Sequence, residues 1–465
     1  MSIAPITELC YSPDSCVYFD HIRGEAHPIF LDSCHPYSPK GRYDILSAAP
    51  EVFLTTHGAT TTITRKQHTL TSEADPFVLL KTELAHYPER PTPLPFSGGA
   101  LGYFGYDLNQ RLEQLPPTHC TLHALPDMAV GIYLWAIITD HVLQKTYLLE
   151  PPAHLAPSHW DAIKQRLLTL SPLPPPTPFY FLKAFTANMT ASLYAEKFAQ
   201  IMQHLQQGDC YQINFAQRWQ AEVAGDPWAL YCYLRQHNPA PFAAFIPLAK
   251  GAILSCSPEQ FLTVNTLGQI STHPIKGTRA RNSDQIADQQ AGEDLLNSPK
   301  DRAENTMIVD LMRNDLGKSC EVATVKVPKL CSLQSFAAVH HLVSTITGQL
   351  RPDKHPLDLL RDCFPGGSIT GAPKIRAMEL INHYEPHART IYCGSIGYID
   401  VNGHMDTNIA IRTALVWQQQ CYVWGGGGIV IDSQQEQEYQ ETFDKIKPFL
   451  DAAQVYSFMP TNLIL

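Results

Sequence analysis

Between Leu170 and Pro178, five of nine residues are proline, and no other feature of this 465-residue chain limits its folding as sharply. Proline fixes φ at about −65° and removes an amide donor, so the stretch can be neither helix nor central strand and must run as an extended spacer. The chain is therefore read as an N-terminal region over 1–170, a linker over 171–189, a C-terminal region over 190–453 and a tail over 454–465. Before the spacer, short β-prone runs such as Ile29–Leu31, Tyr43–Ser47 and Glu51–Thr56, broken by Pro, Gly and His, predict an antiparallel sheet. Within that region the run PFSGGALGYFGYD (95–107) carries four glycines, which allow backbones to approach closely between aromatic residues.

After the spacer the pattern changes. Tyr194, Phe198, Ile201, Met202 and Leu205 recur at helical spacing, with Gly208 where a C-terminal cap belongs. Ser298, Pro299 and Asp301 form a helix start, followed by apolar Met307, Ile308, Leu311 and Met312. A last helix is predicted from about 434 to 450, with Tyr439, Thr442, Phe443, Ile446 and Leu450 on its core face. Strands first, then helices alternating with strands, predict an α+β fold: large antiparallel-rich β-sheets packed together with helices on the outside.

Charge narrows the function. Thirty-four Lys and Arg stand against 44 Asp and Glu, a net charge of −10 without long single-sign blocks, which speaks against nucleic acid or an anionic membrane as partner and for a small ligand. Residues 1–11 lack a basic segment leading into an apolar one, and no run approaches the ~18 apolar residues of a membrane span. A cytoplasmic location is expected. The twelve cysteines never form a C-x-x-C pair, so reduced thiols are expected, not a zinc knuckle or a disulfide framework.

Lys276 ends a short apolar stretch just before Gly277. An amine at such a kink is an ordinary surface charge if wet, and a nucleophile if its surroundings are dry enough to lower its pKa. Asp301 and Glu304 lie three apart on one predicted helix; Glu438, Glu441 and Lys445 share a side of another. Each set is either a solvated face or, taken together, the oxygen ligands of Mg2+, which takes few carboxylates and keeps water and anionic substrate in its shell. The glycines 425–428 form either a flexible turn or a row of exposed N–H donors for a carboxylate. Arg412 is either structural or a bidentate carboxylate partner.

The runs SPEQF (257–261), PIKGT (274–278), DRAEN (301–305), VDLMRNDLG (309–317), FPGGSITGAPK (364–374), YCGSIGY (392–398) and EYQETFDK (438–445) occur in one order that resembles the chorismate-utilising enzymes. The resemblance is dense from about 190 to 451 and thinner before, through PFSGGALGYFGYD. It implies one compact body, with the proline spacer crossing a surface. Two positions sort the branches. Gln212 lies where water-adding members carry a lysine base, and glutamine there resembles the ammonia-adding members; Lys276 lies where anthranilate-forming members resemble this segment with alanine. Together they imply conversion of chorismate and ammonia to 4-amino-4-deoxychorismate, on the way to 4-aminobenzoate and folate. The alternatives are an anthranilate-forming enzyme and a non-catalytic subunit that binds chorismate or tryptophan.

Carried over residue by residue, the resemblance gives Mg2+ to Glu304 and Glu441, with Asp301 and Glu438 in support. Gly426, Gly427, Gly428, Arg412, Tyr392 and Lys445, with Thr370 nearby, are implied to form the anion pocket. Glu259 is implied as general acid, His341 as the residue orienting the leaving group, and Lys276 as the covalent nucleophile. Ser33, Tyr43 and Phe242 fall in segments that line a tryptophan pocket in some members. No G-x-C-x-G nucleophile motif of glutamine amidotransferases is present, so ammonia is expected from solution or from a separate glutamine amidotransferase subunit.

Overall fold

The computed structural model describes residues 4–38, 41–66, 68–116, 125–335 and 339–457. Cys120 and the tail beyond 457 lie outside the described residues. Two antiparallel sheets, of thirteen and twelve strands, form the body. In the first, the early strands Tyr43–Ser47 and Ile29–Asp32 lead into the late strands Phe242–Leu248, Gly251–Ser257, Thr413–Trp417, Gln420–Ile429 and Gln212–Ala224. The seam is the pairing of Phe30 with Phe245 and Asp32 with Ala243. In the second sheet the seam is Gly99–Phe104 against Ser395–Asp400. Both sheets thus mix strands from either side of the proline spacer.

Alternation along the strands decides what each face meets. Ile29, Ile45 and Ile138 face an apolar core that also holds Leu101, Ile396 and Met405 of the second sheet. Their neighbours Phe30, Leu46 and Ile137 face a second core together with Phe19, Ile163, Trp228 and Ile446. Those four residues sit on the helices Cys16–Ile22, Trp160–Thr169, Pro227–His237 and Gln435–Val455, so helices cover the outside of the first sheet as expected. A third cluster packs the helix Ala191–Gln207 through Tyr194, Phe198, Ile201 and Leu205 onto Ile213 and Phe215. That helix starts with the Thr190 side chain accepting from Leu193 N and stops at Gly208, whose φ of 78° suits glycine. Within the glycine-rich early strand, a Cβ on Gly99 would meet the carbonyl of Ile399 at 2.5 Å, so the seam of the second sheet needs a glycine there. Among the described residues, no helix is long and apolar enough to cross a membrane.

Candidate active site

Lys276 is the second residue of the strand Ile275–Ala280, and its ladder with Val339–Gln349 shifts register between Ile275 and Thr278. Gly277 makes the shift at φ +80°, and a Cβ there would stand 2.9 Å from Asp301 Oδ1, so the strand is pressed against the start of the helix Pro299–Gly317. That helix begins as its sequence predicts, with Ser298 Oγ accepting from Asp301 N at 3.3 Å and Pro299 in the first turn. Burial pulls the Lys276 amine below its ordinary pKa; the Glu304 carboxylate pulls the other way, and the Lys445 ammonium adds to the depression.

The glycines of the strand Gln420–Ile429 are functional through the space they leave. A Cβ on Gly428 would fall 2.5 Å from Gln212 Nε2 and 3.2 Å from Lys276 Nζ. On the other face, a Cβ on Gly427 would stand 2.9 Å from Glu438 Oε2 and 3.2 Å from Glu441 Oε1. Two adjacent glycines thus sit between the amine and amide on one side and two carboxylates on the other. Gly426 adds its carbonyl, which accepts from Lys445 Nζ at 2.5 Å.

The carboxylates are not equivalent. Burial raises Glu304 and Glu438, partly opposed at Glu304 by Lys276 and at Glu438 by the Ser433 hydroxyl, which donates to Oε1 at 2.6 Å. Burial also acts on Glu441, but Lys445 at 2.5 Å outweighs it and holds Glu441 below the usual glutamate range. Lys300 stands 3.7 Å from Glu438. The all-oxygen donor set suits a hard divalent cation, and Glu438 Oε2 is buried with no partner. Among the described residues no three His, Cys, Asp or Glu side chains close into a cage for a metal ion. Mg2+ fits such an open set because it takes one or two carboxylates and keeps several waters.

Glu259 lies buried between two strands, with its amide donating to Ser257 Oγ and its carbonyl accepting from Ile409 N. Burial pushes its carboxyl up to about 7, against a hydrogen bond from Ser368 and the charge of Lys276. Ser368 belongs to the loop before the helix Lys374–Tyr384, and this loop reaches the site by pairing Ala372 with Gln212 and Gly371 with Ile213. The loop is clamped by Lys374, whose ammonium pairs with Asp315 and donates to the carbonyls of Cys363 and Pro365, both at 2.9 Å.

Asp301 is engaged by Arg279 at 2.9 Å, and its charge adds to the rise of Glu304. Thr370 is fully buried and turns its hydroxyl back onto the carbonyls of Gly366 and Gly367. Arg412 spends Nη1 on the carbonyls of Asp444 and Lys445 at 3.2 and 2.6 Å. Tyr392 stacks on Trp424, with ring centroids 6.0 Å apart, and against the guanidinium of Arg389. His341 Nδ1 meets Thr278 Oγ1 at 2.9 Å, one ladder step from Lys276. Away from this site, Tyr43 and Phe242 line a cavity between the two sheets with Asp32, Tyr398 and Asp406. Ser33 is not on that wall; its amide and hydroxyl both donate to Asp44.

Ser368, Ser433, Lys300 and Lys374 were not predictable as site residues. Ser368 and Lys300 act through Glu259 and Glu438, more than a hundred residues away, and a single serine or lysine carries no periodicity that would reveal its partner.

The chain belongs to the chorismate binding enzyme family, whose model matches residues 37–451, and it is a chorismate-utilising enzyme. It is similar to aminodeoxychorismate synthase component 1 of Salmonella typhimurium, 51% identical across 90% of each chain. It is also similar to the Escherichia coli protein of that name, 47% identical across 97% of this chain and 98% of that one. Anthranilate synthase component 1 of Lactococcus lactis is 36% identical across 78% of this chain and 80% of its own. Among solved structures, anthranilate synthase component I of Streptococcus pneumoniae superposes with a TM-score of 0.78 at 31% identity, over 89% of this chain and 93% of that one. The menaquinone-specific isochorismate synthase of Escherichia coli shares the fold, with a TM-score of 0.72 at 16% identity over 97% of this chain and 95% of that one.

Proposed function

We propose that this protein converts chorismate and ammonia to 4-amino-4-deoxychorismate, the precursor of 4-aminobenzoate in folate biosynthesis, through a covalent adduct on Lys276. The observation that carries the reading is the juxtaposition at Gly428, where the partly dry amine of Lys276 and the amide of Gln212 share one space. A lysine there is a nucleophile; a glutamine there is no base, so water is not activated beside it. The 4-hydroxyl of chorismate is a poor leaving group and needs a proton as it departs. Glu259, with its carboxyl at about 7, holds that proton near neutral pH.

Lys276 attacks C2 with its lone pair as the C4–O bond breaks, and the hydroxyl leaves as water with the Glu259 proton. Ammonia then forms a bond to C4 while the C2–N bond breaks and its electron pair returns to Lys276, and one proton of the new C4 ammonium passes back to Glu259. Net, one ammonia enters and one water leaves. Glu304 and Glu441, with Asp301 and Glu438 in support, would hold Mg2+, which would supply a positive charge for a substrate carboxylate. Lys445 neutralises Glu441 and keeps the cluster from repelling the dianionic substrate. His341 orients the departing hydroxyl. A glutamine amidotransferase subunit supplies the ammonia; relatives named component 1 support a second component. The cavity lined by Tyr43 and Phe242 is the place for tryptophan, as a structural or regulatory ligand. The work is cytoplasmic.

The test is product identification. With chorismate, Mg2+ and ammonium chloride, the chain alone should yield a product that aminodeoxychorismate lyase converts to 4-aminobenzoate. Fluorescent anthranilate as sole product would assign it to the other amine-adding branch, and no chorismate consumption would leave a binding subunit.

A further inference from the structure

Asn214 is two residues beyond Gln212 on the strand Gln212–Ala224, so both side chains project to the same face. The intervening Ile213 and the following Phe215 face the opposite way, into the cluster under the helix Ala191–Gln207. Asn214 lies directly across from Gly428, the glycine whose missing side chain opens the space occupied by Lys276 Nζ and the Gln212 amide. Its backbone is fixed on the other edge: the amide donates to Thr370 O at 2.8 Å, and the carbonyl accepts from Arg389 Nη2 at 2.8 Å.

The side-chain carbonyl, by contrast, has no partner. Asn214 is 6% exposed and Gln212 is fully buried. Asn214 Oδ1 and both polar atoms of the Gln212 amide have no hydrogen-bond partner. Buried amides left unsatisfied destabilise a fold, and native proteins keep them seldom. Two on one strand face, beside the Lys276 amine, are polar groups whose partners a small ligand could supply.

We infer that Asn214 and Gln212 together bind the incoming ammonia, each carbonyl accepting one of its N–H bonds. This rests on the function proposed above. Ammonia offers three donors and one lone pair, so two acceptors placed on one side hold it by its hydrogens and leave the lone pair turned toward the substrate carbon. Water offers two donors, and held by both it would still need a base to become a nucleophile, which neither amide provides. The pair therefore selects ammonia by geometry as well as by lacking a base. Asn214 is a binding residue for the second substrate and leaves the bond-breaking groups, Lys276 and Glu259, untouched.

The experiment is steady-state kinetics of the full chain with ammonium chloride as the nitrogen source, saturating Mg2+ and product identification. Asn214→Val keeps the strand preference and removes the unbonded amide. It should raise KM for ammonium about tenfold or more, the equivalent of one lost hydrogen bond, with KM for chorismate within about twofold of wild type. Asn214→Asp, which retains an acceptor oxygen, should keep KM for ammonium within about threefold. The inference is overturned if Asn214→Val leaves KM for ammonium unchanged, or raises KM for chorismate equally. Loss of folding in Asn214→Val would mean that the amide has a structural partner, and overturns it too. If the wild-type chain makes no 4-amino-4-deoxychorismate, the proposed function itself fails, a result distinct from any change confined to the variants.

Discussion

Glu259 shows at the scale of one residue how burial and chemistry are linked. Its carboxyl is pushed up to about 7 from an ordinary glutamate value of 4.5, so between those values the folded protein holds a proton that the unfolded chain releases. Stability therefore falls as pH rises through that window and levels off above it. Glu259→Gln has no such proton to lose. It should be more stable than wild type at pH 8, by about 3 kcal/mol, with the advantage gone below about pH 4; denaturant melts at the two pH values measure this. The same variant should lose about 10²–10⁴ in kcat, and wild-type kcat should decline above about pH 7 as the acid ionises. Gly428→Ala is the complementary probe: its Cβ would press on Gln212 at 2.5 Å and on Lys276 at 3.2 Å. Chorismate turnover should drop sharply while the thermal midpoint moves little. Glu259 and Gly428 were visible in the sequence as members of motifs. The proton on one and the void left by the other were not, because both depend on what the fold packs around them.

The elements that carry the site were the most legible part of the molecule. The helix Pro299–Gly317 has its cap, its proline and its apolar stripe in one continuous stretch, and so does Ala191–Gln207. The last helix runs Gln435–Val455, past the expected end near 450 and through Pro448, because Phe449 and Ala452 remain buried beyond it. A local rule about proline yields there to tertiary packing. The turn 363–373 was illegible for the opposite reason: its shape is set by Lys374, whose three acceptors lie 9, 11 and 59 residues away. Lys374→Met would leave the buried Asp315 carboxylate to Lys318 alone, at 3.0 Å, and loosen Ser368 and Ala372. We expect a loss of about 1–3 kcal/mol in unfolding free energy, read by urea denaturation. Ser298→Ala, which removes only the cap, should cost about 1 kcal/mol.

At the scale of the whole molecule, sequence patterns indicated layered antiparallel sheets but not their partners. Phe30 meets Phe245 and Leu101 meets Tyr398 across hundreds of residues, and no local periodicity encodes such pairings. Both sheets are built from strands on either side of the proline run. A fragment beginning at 179 would leave Phe242–Leu248 and Ser395–Asp400 without their partners, and exposed apolar edges aggregate. It should be insoluble alone and recovered when co-expressed with residues 1–178; a soluble fragment with a cooperative melt would contradict the shared sheets. What the two sheets and their covering helices jointly create is a half-buried amine beside an amide that cannot act as a base. The most direct measurement is intact-protein mass spectrometry of samples acid-quenched during turnover, with and without ammonium. A chorismate-derived adduct that maps to Lys276, accumulates when ammonium is withheld and vanishes in Lys276→Ala is the predicted result. Full product formation by Lys276→Ala, with no adduct on the wild-type protein at any time point, would contradict it.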